Sequence, residues 1–257
     1  MRGRLCAAPR APYRGKIADF ATRRCNGALM TADMLAKSAR FDLSTVAGRQ
    51  AAYHDLMWVD HGFLRAAFQN LHWISPEMAR SNQPSPAHIA QYAAMGIKTI
   101  VNLRGFNDSG HYWLEREACE KHNLTLVDSP ISSRDTPTKD RLWRAKEIFA
   151  TIAYPALMHC KSGADRAGLY GVLYKHWRLG APIAEALEQL SGRYLHVRAG
   201  KTGMLDAFFR TYLNDAKTSG KSFDSWIEED YDPEAVKAAF MSSWWGHFLT
   251  ETVLRRE

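Results

Sequence analysis

The stretch that most restricts how this chain can fold is the join between an apolar run, Ala156-Leu157-Met158, and a helical pattern from about Ala164 to Leu179. The residues His159-Cys160-Lys161-Ser162-Gly163-Ala164-Asp165-Arg166 make the connection. A strand entering a helix through so short a loop turns its backbone N–H groups toward one centre. With the positive end of the helix behind them, such amides form a nest for an oxyanion. Cys160 opens the loop and Arg166 closes it.

These residue types fit one chemistry. A phosphate monoester is doubly charged and repels ordinary nucleophiles. The field that holds it also favours thiolate over thiol, so a cysteine at the loop's start is a candidate nucleophile. Arg166 offers a planar fork to two phosphate oxygens, which lysine cannot match. The backbone of Lys161, Ser162, Gly163, Ala164 and Asp165, together with Arg166, forms the expected phosphate-binding set. Gly163 suits a position that needs a positive φ or no side chain. The other cysteines, Cys6, Cys25 and Cys119, are followed at the same spacing by Pro12, Thr31 and Thr125, so only Cys160 fits.

The segment resembles the signature loop, His-Cys-x5-Arg, of the cysteine-dependent protein tyrosine and dual-specificity phosphatases, strongly over about 155–170 and more loosely over about 72–215. The resemblance implies a cysteinyl-phosphate intermediate on Cys160, with Arg166 binding phosphate throughout. It also implies an α/β fold, a central mostly parallel sheet flanked by helices, and no metal or other cofactor. Three positions depart from the usual pattern. Ala167 stands where a hydroxyl residue normally helps the thiolate leave. Asp165, before the loop arginine, is shared with the myotubularin and Sac-type phosphoinositide phosphatases, and Lys161 is similar to the tensin-type lipid phosphatases. Asp165 is read either as a mark of such substrates or as a partner for a neighbouring cation, Lys161 or Arg166.

A general acid must protonate the leaving oxygen. Asp135, between Pro130 and Pro137 in a loop after an apolar strand, is the preferred candidate, with Asp128 at the strand's end left open. The other reading of Asp135 is a helix cap. His159 is expected to shape the loop by bonding nearby backbone. Arg104 ends the buried-strand run Ile97-Lys98-Thr99-Ile100-Val101-Asn102-Leu103. Resemblance to the Asn-Leu-Arg pattern of dual-specificity enzymes implies that it lines the pocket, contacting substrate or buttressing the loop; the other reading is an exposed arginine at a strand end.

Elsewhere the pattern alternates. A strand is expected at Met78–Arg80, a helix opened by Ser85-Pro86 and stopped at Gly96, a strand at 97–103, and a helix at about 111–122. A strand at 124–128, a helix at 138–153 and a strand at 155–159 follow. This alternation argues for a largely parallel sheet. Ligands in such sheets lie beyond the carboxyl ends of the strands, where Arg104, Asp135 and Cys160 all fall. The expected division is an extension at 1–55, a phosphatase domain at 56–218 and a helical extension at 219–257. Arg2, Arg4, Arg10, Arg14 and Lys16 precede the first acid, Asp19, with no apolar core of a secretory signal after them. The stretch 194–203 reads as a helix connector, the other reading being that its glycines and lysine reach the mouth of the phosphate site.

Formal net charge is +7, which attracts phosphorylated or anionic partners. No basic block interleaved with aromatics argues for nucleic acid. Four scattered cysteines suit a reducing, cytoplasmic setting. Phe240, Trp244 and Phe248 share a helical face, flanked by Met241, Trp245 and Leu249, with Arg255 and Arg256 beyond. That face is read as docked on the core or as a peripheral membrane contact. Three functions are therefore weighed: a protein tyrosine or dual-specificity phosphatase as first reading, a lipid or inositol head-group phosphatase, and a non-catalytic phosphate-binding module.

Overall fold

The computed structural model describes residues 39–253. Five strands form one sheet in the order β1-β2-β5-β3-β4. They are β1 (His72–Ser75), β2 (Met78–Ser81), β3 (Thr99–Asn102), β4 (Thr125–Asp128) and β5 (Ala156–His159). Only β1, at the edge, runs antiparallel; the others are parallel. This is the expected α/β architecture, and β1 is a strand the sequence pattern did not suggest. Strands β2, β3 and β5 are buried along their whole length, as parallel strands covered on both faces must be.

The helices explain why both faces are covered. They are α1 (Val46–His54), α2 (Gly62–Ala66), α3 (Pro86–Ala94), α4 (Gly110–Lys121), α5 (Lys139–Thr151), α6 (Asp165–Trp177), α7 (Ile183–Ala186), α8 (Met204–Ser219), α9 (Phe223–Glu229) and α10 (Pro233–Val253). Successive strand residues point to opposite faces. Ala79, Ile100 and Leu157 therefore pack with Ile89, Tyr92, Ala118 and Cys119 from α3 and α4. Met78, Val101 and Met158 face the larger core built with α5, α6, α8 and α9. Helix α3 starts where the sequence signals it: the Ser85 hydroxyl accepts a hydrogen bond from the His88 N–H, the His88 ring accepts one from the Ser85 N–H, and Pro86 follows.

The described parts of the segments expected to flank the domain, 39–55 and 219–244, pack against it. Helix α1 runs directly into a π-helical turn, Asp55–Val59, so an extension boundary at 55 falls inside one helical run. Phe41, Ala52 and Leu56 pack on Tyr112, Trp113 and Leu114 of α4. Asp55 accepts a hydrogen bond from the Gly110 N–H at 2.9 Å, so this segment caps α4 from outside. Gly110 is needed there, because a Cβ would lie 2.3 Å from the Ala52 carbonyl oxygen. After 219, Phe223, Trp226 and Ile227 are buried with Phe208 and Phe209 in the main core. Trp244 of α10 donates to the Ala199 carbonyl at 3.3 Å, and the Lys201 ammonium lies 5.5 Å from its ring centre. That part of the terminal helix is docked. Phe248, Trp245 and Leu249 have side chains outside the described set, as do Arg255, Arg256 and residues 1–38. Among the described residues no helix is long and apolar enough to cross a membrane.

The register sets the site. Ser81, His159, Asn102 and Asp128 lie level across adjacent parallel strands. The loops that follow them leave the same edge of the sheet.

Candidate active site

The loop after β5 is held by its carbonyls. The Lys161 carbonyl accepts from the Gln83 N–H at 3.3 Å. The Ser162 carbonyl accepts from the Asn70 side-chain amide at 3.0 Å. The Arg80 Nη2 donates to the carbonyls of Gly163 and Ala164, at 2.8 Å each. Four consecutive carbonyls thus point away from the loop's centre. In a planar trans peptide the N–H of the next residue points opposite to the carbonyl. The N–H groups of Ser162, Gly163, Ala164 and Asp165 are therefore turned to the side opposite these donors; that of Ala164 also meets the Ser162 hydroxyl at 3.4 Å. Gly163 has φ +74°, and a Cβ there would lie 2.8 Å from the Asn82 nitrogen. Both conditions select glycine. The crowding comes from the backbone after β2.

Arg80 was not among the sequence candidates. It is fully buried, donates also to the Gln189 carbonyl and side chain, and lies 4.1 Å from the Tyr194 ring centre. Burial, partly offset by Cys160, lowers its pKa to about 10, so it stays charged beneath the loop. A charged residue in the strand run Met78-Ala79-Arg80-Ser81 was the available signal.

Cys160 is 2 % exposed at the loop's base. Among the described residues, the half-buried Arg166 guanidinium makes no ion pair and no hydrogen bond. His159 meets a side chain where the sequence suggested backbone: its Nε2 lies 2.5 Å from Glu115 Oε1, both residues fully buried. The other Glu115 oxygen accepts from Gln83 at 2.8 Å, and Gln83 accepts from Arg104 at 2.9 Å. Arg104, the expected substrate residue, grips Asp60 with both guanidinium nitrogens at 2.8 Å. Asp60 also takes Arg65 at 2.6 Å, and Lys161 Nζ lies 3.3 Å away. Burial raises the Asp60 pKa, but the Arg104 hydrogen bonds and charge outweigh it and hold this carboxyl well below the usual range.

Asp165 pairs with neither Lys161 nor Arg166. It accepts the Nδ1 side of His196 at 2.7 Å, and the Nε2 side meets Asp206 at 2.6 Å. Arg198 closes the chain on Asp206 at 2.8 Å. Burial disfavours the His196 imidazolium, but the two carboxylates more than offset it and set its pKa at about 9. The connector 194–203 therefore balances a charge inside the loop after β5, through His196.

The two acid candidates differ in setting. Asp135 is half exposed, accepts from the Thr136 N–H at 3.0 Å and pairs with Lys237 of α10 at 3.1 Å. It is not the cap of α5, whose first flanking residue is Thr138. Asp128 gives one oxygen to the Asn102 amide at 3.0 Å and the other to the Tyr112 hydroxyl at 2.7 Å. Burial raises its pKa against those bonds.

Residues 68–177 match the family model described as PTP-SAK: Swiss Army Knife protein, DSP-PTPase phosphatase domain. The chain is 27% identical over 121 residues to the dual specificity protein phosphatase TpbA of Pseudomonas aeruginosa, 47% of this chain and 53% of TpbA. It thus spans about half the length of the curated relatives it matches. The crystal structure of P. aeruginosa TpbA aligns with a TM-score of 0.47 at 21% identity, over 66% of this chain and 90% of that one. Tk-PTP in its active form aligns with a TM-score of 0.44 at 20% identity, over 56% and 98%.

Proposed function

With residues 68–177 matching a dual-specificity-type cysteine phosphatase domain, we propose that this chain hydrolyses phosphate monoesters through a cysteinyl-phosphate intermediate, acting on phosphotyrosine and on phosphoserine or phosphothreonine in proteins. The observation that supports it most is the set of four outward-pinned carbonyls, which turns four amides inward above Cys160.

The amides and Arg166 bind the phosphate oxygens and take up charge in the transition state. The Cys160 sulfur, as thiolate, attacks phosphorus. The bond from phosphorus to the ester oxygen breaks, and Asp135 gives that oxygen its proton. Water then attacks the phosphocysteine, Asp135 takes the proton back, and phosphate leaves with the thiolate restored. We favour Asp135 because Asp128 commits both oxygens to Asn102 and Tyr112. To act, Asp135 must release Lys237. Ala167 is buried and has no hydroxyl to assist the sulfur's departure, which makes breakdown of the intermediate the slow step.

The head-group reading draws on Lys161, Asp165, the positive net charge and the terminal helix; of these, Lys161 lies beside Asp60 and Asp165 is bonded to His196. The protein reading therefore stands first. The test is p-nitrophenyl phosphate turnover by the full chain, followed by rapid mixing. A burst of p-nitrophenol close to one equivalent per enzyme is expected, and Cys160→Ser is expected to abolish it while phosphate still binds. A Cys160→Ser enzyme with a near-normal rate would overturn the proposal.

A further inference from the structure

Asp60 belongs to the segment before the matched stretch 68–177, yet it sits among the side-chain cations of the site. It is 6 % exposed. Arg104 takes both of its oxygens, Arg65 one, and Lys161 lies 3.3 Å from the other. The remaining titratable neighbour is His111, with Nδ1 4.0 Å from Asp60 and 3.8 Å from Asp55. Burial, with Arg104 nearby, lowers the His111 pKa to about 3, so it adds no charge at neutral pH. Beside Arg166, Lys161 and Arg104 are the cations the loop and the β3 end can offer to a second anionic group on a substrate. A second phosphate there has to displace a carboxylate already held by a two-pronged guanidinium contact in a largely dry setting, where such contacts are strong.

We propose that Asp60 is a built-in anion that makes the site select a single phosphate and discriminate against substrates carrying further phosphates beside it. It acts through Arg104 and Lys161 and is therefore a positioning residue. The proposal rests on the phosphatase reading of the same site and deepens it toward singly phosphorylated side chains.

The experiment compares the full-length protein with Asp60→Asn and Asp60→Glu, measuring calorimetric binding of inorganic phosphate and of inositol hexakisphosphate. The natural chain is expected to bind the hexakisphosphate no more than about tenfold tighter than phosphate. Removing one charge within a few ångströms is expected to raise that ratio by about tenfold or more in Asp60→Asn, while Asp60→Glu keeps the natural ratio. An unchanged ratio in a folded Asp60→Asn overturns the proposal. So does a natural preference for hexakisphosphate beyond about a hundredfold, and this arm decides the matter if Asp60→Asn does not fold. Turnover of p-nitrophenyl phosphate by the natural chain separates the two claims. Turnover with an unmoved ratio removes the role of Asp60 alone; a moved ratio without turnover removes catalysis and leaves the anion filter.

Discussion

Replacing His196 by Gln tests the charge balance of the loop after β5 most directly. The imidazole lies between Asp165 and Asp206 at 2.7 and 2.6 Å, with its side chain 1 % exposed. Its pKa rises from 6.5 to about 9, which at ~1.4 kcal/mol per unit is worth about 3 kcal/mol to the folded state. A raised pKa makes the folded form bind the proton more tightly. The contribution is therefore complete below about pH 6.5, declines as pH rises, and is gone above about pH 9. For a chain of this size about 3 kcal/mol corresponds to roughly 6–12 °C in Tm. Thermal unfolding of the natural chain is expected to lose that margin between pH 6.5 and 9.5. His196→Gln should start lower at pH 7 and lack this part of the slope. Phosphate affinity should fall in the natural chain above pH 9, when the Asp165 charge next to Arg166 is no longer offset. An NMR titration of the His196 ring with a midpoint near 6.5, or an equal slope in the variant, would refute the reasoning.

Two further substitutions probe the loop and the acid. Gly163→Ala should cost at least ~1–2 kcal/mol from the positive φ alone, and more because its Cβ meets Ser81 and Asn82 backbone at 2.8 Å; chemical denaturation measures this, and an unchanged midpoint would mean the loop is not held against β2. Asp135→Asn should lower kcat/KM on a phosphotyrosine peptide by about 10²–10⁴ and far less on aryl phosphates with good leaving groups, because kcat/KM reports formation of the phosphocysteine. Asp128→Asn is expected to act on stability through Tyr112 and Asn102, and the reverse pattern in steady-state kinetics would move the acid to Asp128.

Much of the architecture was legible because its causes are local. The buried runs at 97–103 and 155–159, the Ser85-Pro86 helix start and the helix after Cys160 each carry their own signal within a few residues. Edge strand β1 escaped notice because His72-Trp73-Ile74-Ser75 is short and only partly buried. The α1 segment escaped because what secures it is distant: Ala52 against Gly110, Asp55 on the Gly110 N–H, and Arg49 on Glu117 at 2.7 and 2.8 Å.

The same division runs through the site. From its order of residues alone, this chain determines that a cysteine, a flexible glycine and an arginine share one tight turn between strand and helix, because that turn's geometry depends on neighbours in the chain. Which charges surround the turn is decided only by the folded whole. Asp60 reaches Arg104, Arg80 reaches the loop carbonyls, and His196 reaches Asp165 because the sheet and its flanking helices bring remote segments together. Electrostatic partners are chosen by distance in space, and spacing along a sequence does not encode it.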